Sequence, residues 1–127
     1  MPGSASNRSE WVARAENDWK TIGAVLSLED PPFDVAAFHA QQAAEKYLKA
    51  FLLDRGWKLR KTHDLIDLLS DCVKYDEALQ CLSPQCQELN PYVLSGRYPV
   101  AAVTESGCKS AVTGAEFIRS EIRKRLL

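Results

Sequence analysis

The stretch Asp34–Arg55, DVAAFHAQQAAEKYLKAFLLDR, decides the fold. Alanine and other strong helix formers fill it, so it reads as one helix of about six turns. Phe38, Ala44, Tyr47, Leu48, Phe51 and Leu52 form a broad apolar stripe. Ala40, Ala43 and Ala44 have almost no bulk and permit close approach by a neighbouring helix. A second face carries His39, Gln42, Glu45, Lys46 and Lys49. Four of these follow one another three or four residues apart, so they share a ridge. Glu45 and Lys49 are spaced for an i,i+4 pair, worth about 0.3 kcal/mol at a surface. That ridge is denser than ordinary surface requires, and the functional reading begins there.

A chain of 127 residues is expected to form one domain, here residues 10–127 behind a flexible polar terminus at 1–9. With 26% charged residues but a net charge of -1, nothing in the bulk electrostatics points to nucleic acid or an anionic membrane. Met1–Ser9 does not read as a signal peptide, and no stretch approaches a membrane span, so a cytoplasmic protein is expected. Cys72, Cys81, Cys86 and Cys108 match no zinc spacing, and only two histidines exist to help them. Free, mostly buried thiols are expected, with no metal and no cofactor.

Outward from the second helix, the chain keeps a helical period. Trp11, Ala15, Trp19, Ile22 and Leu26 give a first helix over about Glu10–Leu28, capped by Ser9 or a neighbour, with Asp18 beside its stripe. Pro31 and Pro32 separate it from the second helix, for which Asp34 is the expected N-cap. Gly56 suits the C′ position. A basic connector, Trp57–Lys61, leads to Thr62, the expected cap of a helix running to about Tyr75. Ser83 is the expected cap of a further helix with Pro84 in its first turn, and Pro91 bends that helix or ends it at Asn90. Boundaries between 76 and 104 are not fixed by this pattern. Thr104 caps a last helix to about Arg125, with Cys108, Ala111, Ala115, Ile118 and Ile122 on its stripe. The expected fold is all-α: an antiparallel up-and-down four-helix bundle with an additional short helix.

Three groups of residues, in this order and spacing, resemble one family. They are Phe38–Lys46 continuing to Lys49-Ala50; Lys61–Leu65; and Ser95, Arg97, Tyr98 and Pro99. Together with Trp11, Ala15 and Asp18 they resemble the HEPN family, the higher eukaryote and prokaryote nucleotide-binding domain. The resemblance covers about Trp11 to Leu126. It implies a helical bundle that forms a homodimer, often encoded beside a minimal nucleotidyltransferase. Other members are ribonucleases, often toxins, with an arginine, then four to six residues, then a histidine. Here Arg97 has no histidine after it, and seven residues separate Arg55 from His63. The resemblance is therefore closer to the branch associated with nucleotides or a nucleotidyltransferase.

The candidate ligand-binding residues are His39, Gln42, Glu45, Lys46, Lys49, His63, Arg97 and Tyr98. Lysines and arginine neutralise phosphate, Tyr98 can stack a base or pack its ring, and an imidazole serves near neutral pH as base or donor. No catalytic role is assigned outright; His39, His63 and Arg97 are the candidates. Each residue also has a purely structural reading: His63 fixing its loop, His39 and the glutamines at a dimer interface, Glu45 with Lys46 as an internal ion pair, and Arg97 tied to Asp18 or Glu45. Three functions follow. The first is a dimeric module that binds a nucleotide or RNA phosphate or docks a nucleotidyltransferase, as part of a toxin–antitoxin pair. The second is a metal-independent ribonuclease. The third is a structural, antitoxin-like dimer. An enzyme is the less favoured expectation.

Overall fold

The computed structural model describes residues 7–58, 60–95 and 102–126. Among the described residues five α-helices run in the order α1 (Arg8–Leu26), α2 (Phe33–Asp54), α3 (Leu65–Tyr75), α4 (Ser83–Leu89) and α5 (Glu105–Arg125). Two 3₁₀ segments, Glu77–Leu82 and Asn90–Leu94, flank α4. The described residues contain no strand.

The helix ends follow local chemistry. Asn7 caps α1, its side-chain oxygen accepting from the Glu10 amide at 2.9 Å, so the helix starts and ends slightly before the expected span. α2 begins at Phe33 with Pro32 in the cap position, and Asp34 therefore lies inside its first turn. Gly56 follows α2 with φ 87°, where a side chain would be strained. Asp64 caps α3, accepting from the Ile66 amide at 2.9 Å, while Thr62 accepts one step earlier from the Asp64 amide. Ser83 is not a cap; it is the first residue of α4, and Pro84 occupies the first turn. Before Pro91, α4 ends at Leu89 and the chain tightens into the 3₁₀ segment. Thr104 caps α5 as expected, accepting from the Gly107 amide at 2.9 Å.

The bundle departs from four long helices. Only α1, α2 and α5 are long, at 19, 22 and 21 residues, whereas α3 has 11 and α4 has 7. Pro84 and Pro91 fragment the run that would have been the fourth. α1 lies antiparallel to α2: Arg8 bonds Asp54 at one end and Asp18 meets Lys46 further along. α3 runs in the same sense as α2, because His63 sits on Glu45 and the Cys72 thiol approaches the Leu48 carbonyl. The connector after Gly56 therefore travels back along the bundle before α3 begins. Its Trp57 and Arg60 bond Asp71, and Arg60 also bonds Asp67. Both carboxyls are held below their usual range, chiefly by the Arg60 guanidinium.

α2 is the central helix, with fourteen of its 22 residues buried. Tyr47, Leu48 and Phe51 meet Leu68, Leu89 and Ile118 in one core. The alanines bring α1 within reach, so polar side chains of the two helices also meet inside. The cysteines are free thiols; Cys81 is exposed, and burial pushes the thiols of Cys72, Cys86 and Cys108 upward.

On the far side of α1, Glu16 ties three helices together. Arg119 grips it through two bonds of 2.8 and 2.9 Å, Arg123 approaches at 3.2 Å, and the buried Tyr47 hydroxyl donates to it. The Arg119 hydrogen bond outweighs burial and holds the Glu16 carboxyl below its ordinary value of 4.5. A depressed carboxyl stabilises the fold fully above its unfolded value and loses that contribution as pH falls through its folded value. Glu16→Gln should therefore cost about 1–3 kcal/mol at pH 7. Urea denaturation should show the gap between variant and parent closing as pH falls below the ordinary carboxylate range.

Candidate functional site

The predicted ridge sits at the edge of the α1–α2 layer away from Glu16. Two buried carboxylates organise it, and each holds one lysine and one imidazole. Asp18, 7% exposed, accepts from Lys46 Nζ at 2.5 Å and from His39 Nδ1 at 2.8 Å. Glu45, 2% exposed, accepts from Lys49 Nζ at 3.0 Å, and His63 Nδ1 lies 3.1 Å from both its oxygens. Gln42 donates to the Gln41 side-chain oxygen at 2.7 Å, and Gln41 donates to the His63 carbonyl at 3.2 Å. The glutamines thus satisfy each other within one chain and hold the connector onto α2.

The structure brings His39, Gln42, Glu45, Lys46, Lys49 and His63 together, but at different depths. Glu45, Lys49 and Gln42 are buried behind the surface. His63, His39 and Lys46 reach it, with side chains 53%, 25% and 21% exposed. The expected Glu45–Lys46 pair does not form; Lys46 crosses to Asp18, and Glu45 turns to Lys49 and His63. Arg97 and Tyr98 lie outside the described residues.

Two residues escaped the sequence-based site. Asp18 occurs seven residues after Trp11 and three after Ala15, so an acid stands on an otherwise apolar stripe. That misplaced charge was the available signal. Trp11 receives the Lys49 ammonium at 5.3 Å and the Arg14 guanidinium at 5.5 Å from its ring centre. Its indole N–H is buried and has no acceptor among the described residues.

Chemically, each carboxylate accepts from Nδ1 and so makes that nitrogen the N–H bearer in the neutral ring. Nε2 is then left without a partner among the described residues in both imidazoles. A neutral Nε2 accepts a proton or hydrogen bond, and a protonated one donates to phosphate. Lys46 adds an ammonium with donors to spare. Among the described residues no three His, Cys, Asp or Glu side chains are grouped to hold a metal ion.

Buried ion pairs hold because both members are present. Lys49→Met should cost about 3 kcal/mol by stranding Glu45, whereas Glu45→Leu with Lys49→Met should recover more than half of that loss. Chemical denaturation of the parent, the single variant and the pair measures both values. Equal losses in the single and double variants would contradict a stranded charge.

No helix among the described residues is long and apolar enough to cross a membrane. Comparison with curated proteins and with solved structures gives no match. The family model described as HEPN domain matches residues 9–125, which takes in both carboxylates, both histidines and every helix apart from the first residue of α1. The chain belongs to the HEPN family.

Proposed function

We propose that this protein is a dimeric HEPN module that binds a nucleotide-like phosphate ester on the face of His39, Lys46 and His63, within a cytoplasmic toxin–antitoxin pair. The observation that carries the reading is the pair of imidazoles whose Nδ1 atoms are bound to buried carboxylates and whose Nε2 atoms have no partner among the described residues. Rings held from behind lose little freedom on meeting a ligand, so their hydrogen bonds contribute nearly in full. Lys46 supplies charge beside His39 through their shared Asp18. The same face offers a docking surface for a minimal nucleotidyltransferase, and Arg97 and Tyr98 belong to the proposed site through the family resemblance.

A second reading, a metal-independent ribonuclease, is favoured by one feature. The His63–Glu45 contact is the arrangement in which an imidazole acts as a general base. The missing arginine-to-histidine spacing weighs against it.

Titration with adenosine monophosphate to millimolar concentration, followed through the histidine ring resonances, tests the first reading. Both rings should shift, and His63→Ala should weaken binding about tenfold, or 1.4 kcal/mol. Unmoved rings would remove the nucleotide and leave the docking role. The nuclease reading requires RNA cleavage that disappears in the His39→Ala, His63→Ala variant.

A further inference from the structure

A cavity of about 390 Å³ opens at the end of the bundle where α1 begins and α5 finishes. Arg8, Ser9 and Val12 line it from α1, Arg123 from the last turn of α5, and Leu126 from the cap that follows. Its lining is of two kinds: two guanidiniums with a hydroxyl, and two aliphatic side chains. From this lining we infer a binding site for a small aliphatic anion. Its carboxylate or phosphate head meets Arg8 and Arg123, and its hydrocarbon part lies on Val12 and Leu126.

Both guanidiniums keep donors for such a head. Arg8 uses only Nη1, on Asp54 at 3.1 Å and on the Leu126 carbonyl at 2.6 Å. Arg123 approaches Glu16 through Nη1 at 3.2 Å, and Glu16 is already held by Arg119 and Tyr47. Among the described residues, Nε and Nη2 of Arg8 and Arg123 have no acceptor, and neither has the Ser9 hydroxyl. A guanidinium fork matches the two oxygens of a carboxylate or a phosphate.

The local acids do not neutralise this end of the molecule. Arg8, Arg55, Arg119 and Arg123 share two carboxylates, Asp54 and Glu16. Lys124 and Arg125 beside them are matched by Glu121 and Asp76. The carbonyl ends of α2 and α5 each supply about half a negative charge, and the amide end of α1 returns about half a positive one. An excess of about 1.5 positive charges remains. No aromatic side chain lines the cavity among the described residues, so the lining suits a hydrocarbon rather than a stacked base. Val12 lies four residues before Glu16, on the side of α1 away from the His39–His63 ridge, so the two sites are separate.

Methyl and histidine resonances of the full chain, titrated with octanoate, octyl phosphate, octanol and inorganic phosphate, are the test, with circular dichroism to establish that each variant is folded. Octanoate or octyl phosphate should shift the Val12 and Leu126 methyls with a Kd below about 1 mM, and octanol and inorganic phosphate should bind at least about tenfold more weakly. Whichever anion binds more tightly names the head group. Arg123→Met keeps the aliphatic stem and removes the fork; Val12→Asp brings a like charge to the head. Each should weaken binding about tenfold. Failure of both anions to move these methyls would overturn the site. So would octanol binding as tightly as octanoate, or binding that survives both substitutions unchanged. Octyl phosphate that moves only the histidine rings would overturn it while supporting the proposed function. Octanoate that moves these methyls and leaves the histidine rings unmoved supports the site, whatever becomes of that function.

Discussion

Two buried carboxylates, Asp18 on α1 and Glu45 on α2, constrain the rest of the molecule. An ionised carboxylate out of water is unfavourable unless cations and hydrogen bonds surround it. Asp18 and Glu45 meet that requirement with four side chains drawn from α2 and the connector: Lys46 and His39 on one, Lys49 and His63 on the other. The alanines of α2 make the arrangement possible by drawing the helices together, and the buried charges then specify how the helices register. An apolar seam alone would tolerate a slide of one turn. A slide here would strand at least one carboxylate. The same contacts that fix the register also aim two imidazoles, so the packing constraint and the candidate site are one set of bonds.

Much of this was legible in the sequence, for identifiable reasons. The three long helices announce themselves because their apolar residues repeat at 3.6-residue spacing over five or more turns. The polar ridge of α2 was visible for the same reason, and the family match over residues 9–125 agrees with the motifs that suggested it. Periodicity carries no direction, however. It gave α3 its length and apolar face but not its sense, which comes from His63, Cys72 and the connector. It spaced Glu45 for Lys49, a pair that forms, whereas the alternative pairing of Glu45 with its sequence neighbour Lys46 does not. Successive residues on a helix point about 100° apart, so the two side chains diverge and find partners on different elements. Asp18 was noted beside its stripe but not joined to His39 and Lys46, because these partners are 21 and 28 residues away in sequence. Long-range pairing of that kind is set by tertiary packing and leaves no local pattern.

Depth separates the ridge into two functions. Lys49 and Glu45 are spaced for an i,i+4 pair, which on a surface has only a few tenths of a kcal/mol to offer (about 0.3). Inside the bundle the same pair is decisive for integrity, because removing one member leaves the other without water. Their burial withdraws them from contact with a ligand and makes them supports. Trp11 belongs with the supports, since its ring receives the ammonium of the buried Lys49. The surface-reaching groups are His39, Lys46 and His63. What a ligand meets is thus a small, nearly neutral array, in which each cation already has a buried counter-charge.

That array depends on the unusual path of the chain after α2. An up-and-down bundle would turn tightly at Gly56 and send α3 back antiparallel, leaving Thr62 and His63 buried in a helix or at the far end. Instead the left-handed Gly56 releases an extended connector, and Trp57 and Arg60 fasten it to Asp71 on α3. The connector then delivers His63 to the middle of α2, where Gln41 holds its carbonyl and Glu45 its ring. Asp64 caps the next helix immediately afterwards, so His63 has no freedom to drift along the chain. Each of these bonds is ordinary by itself. Their combined effect is to give an exposed imidazole a buried anchor, which neither a regular helix nor a free loop would provide.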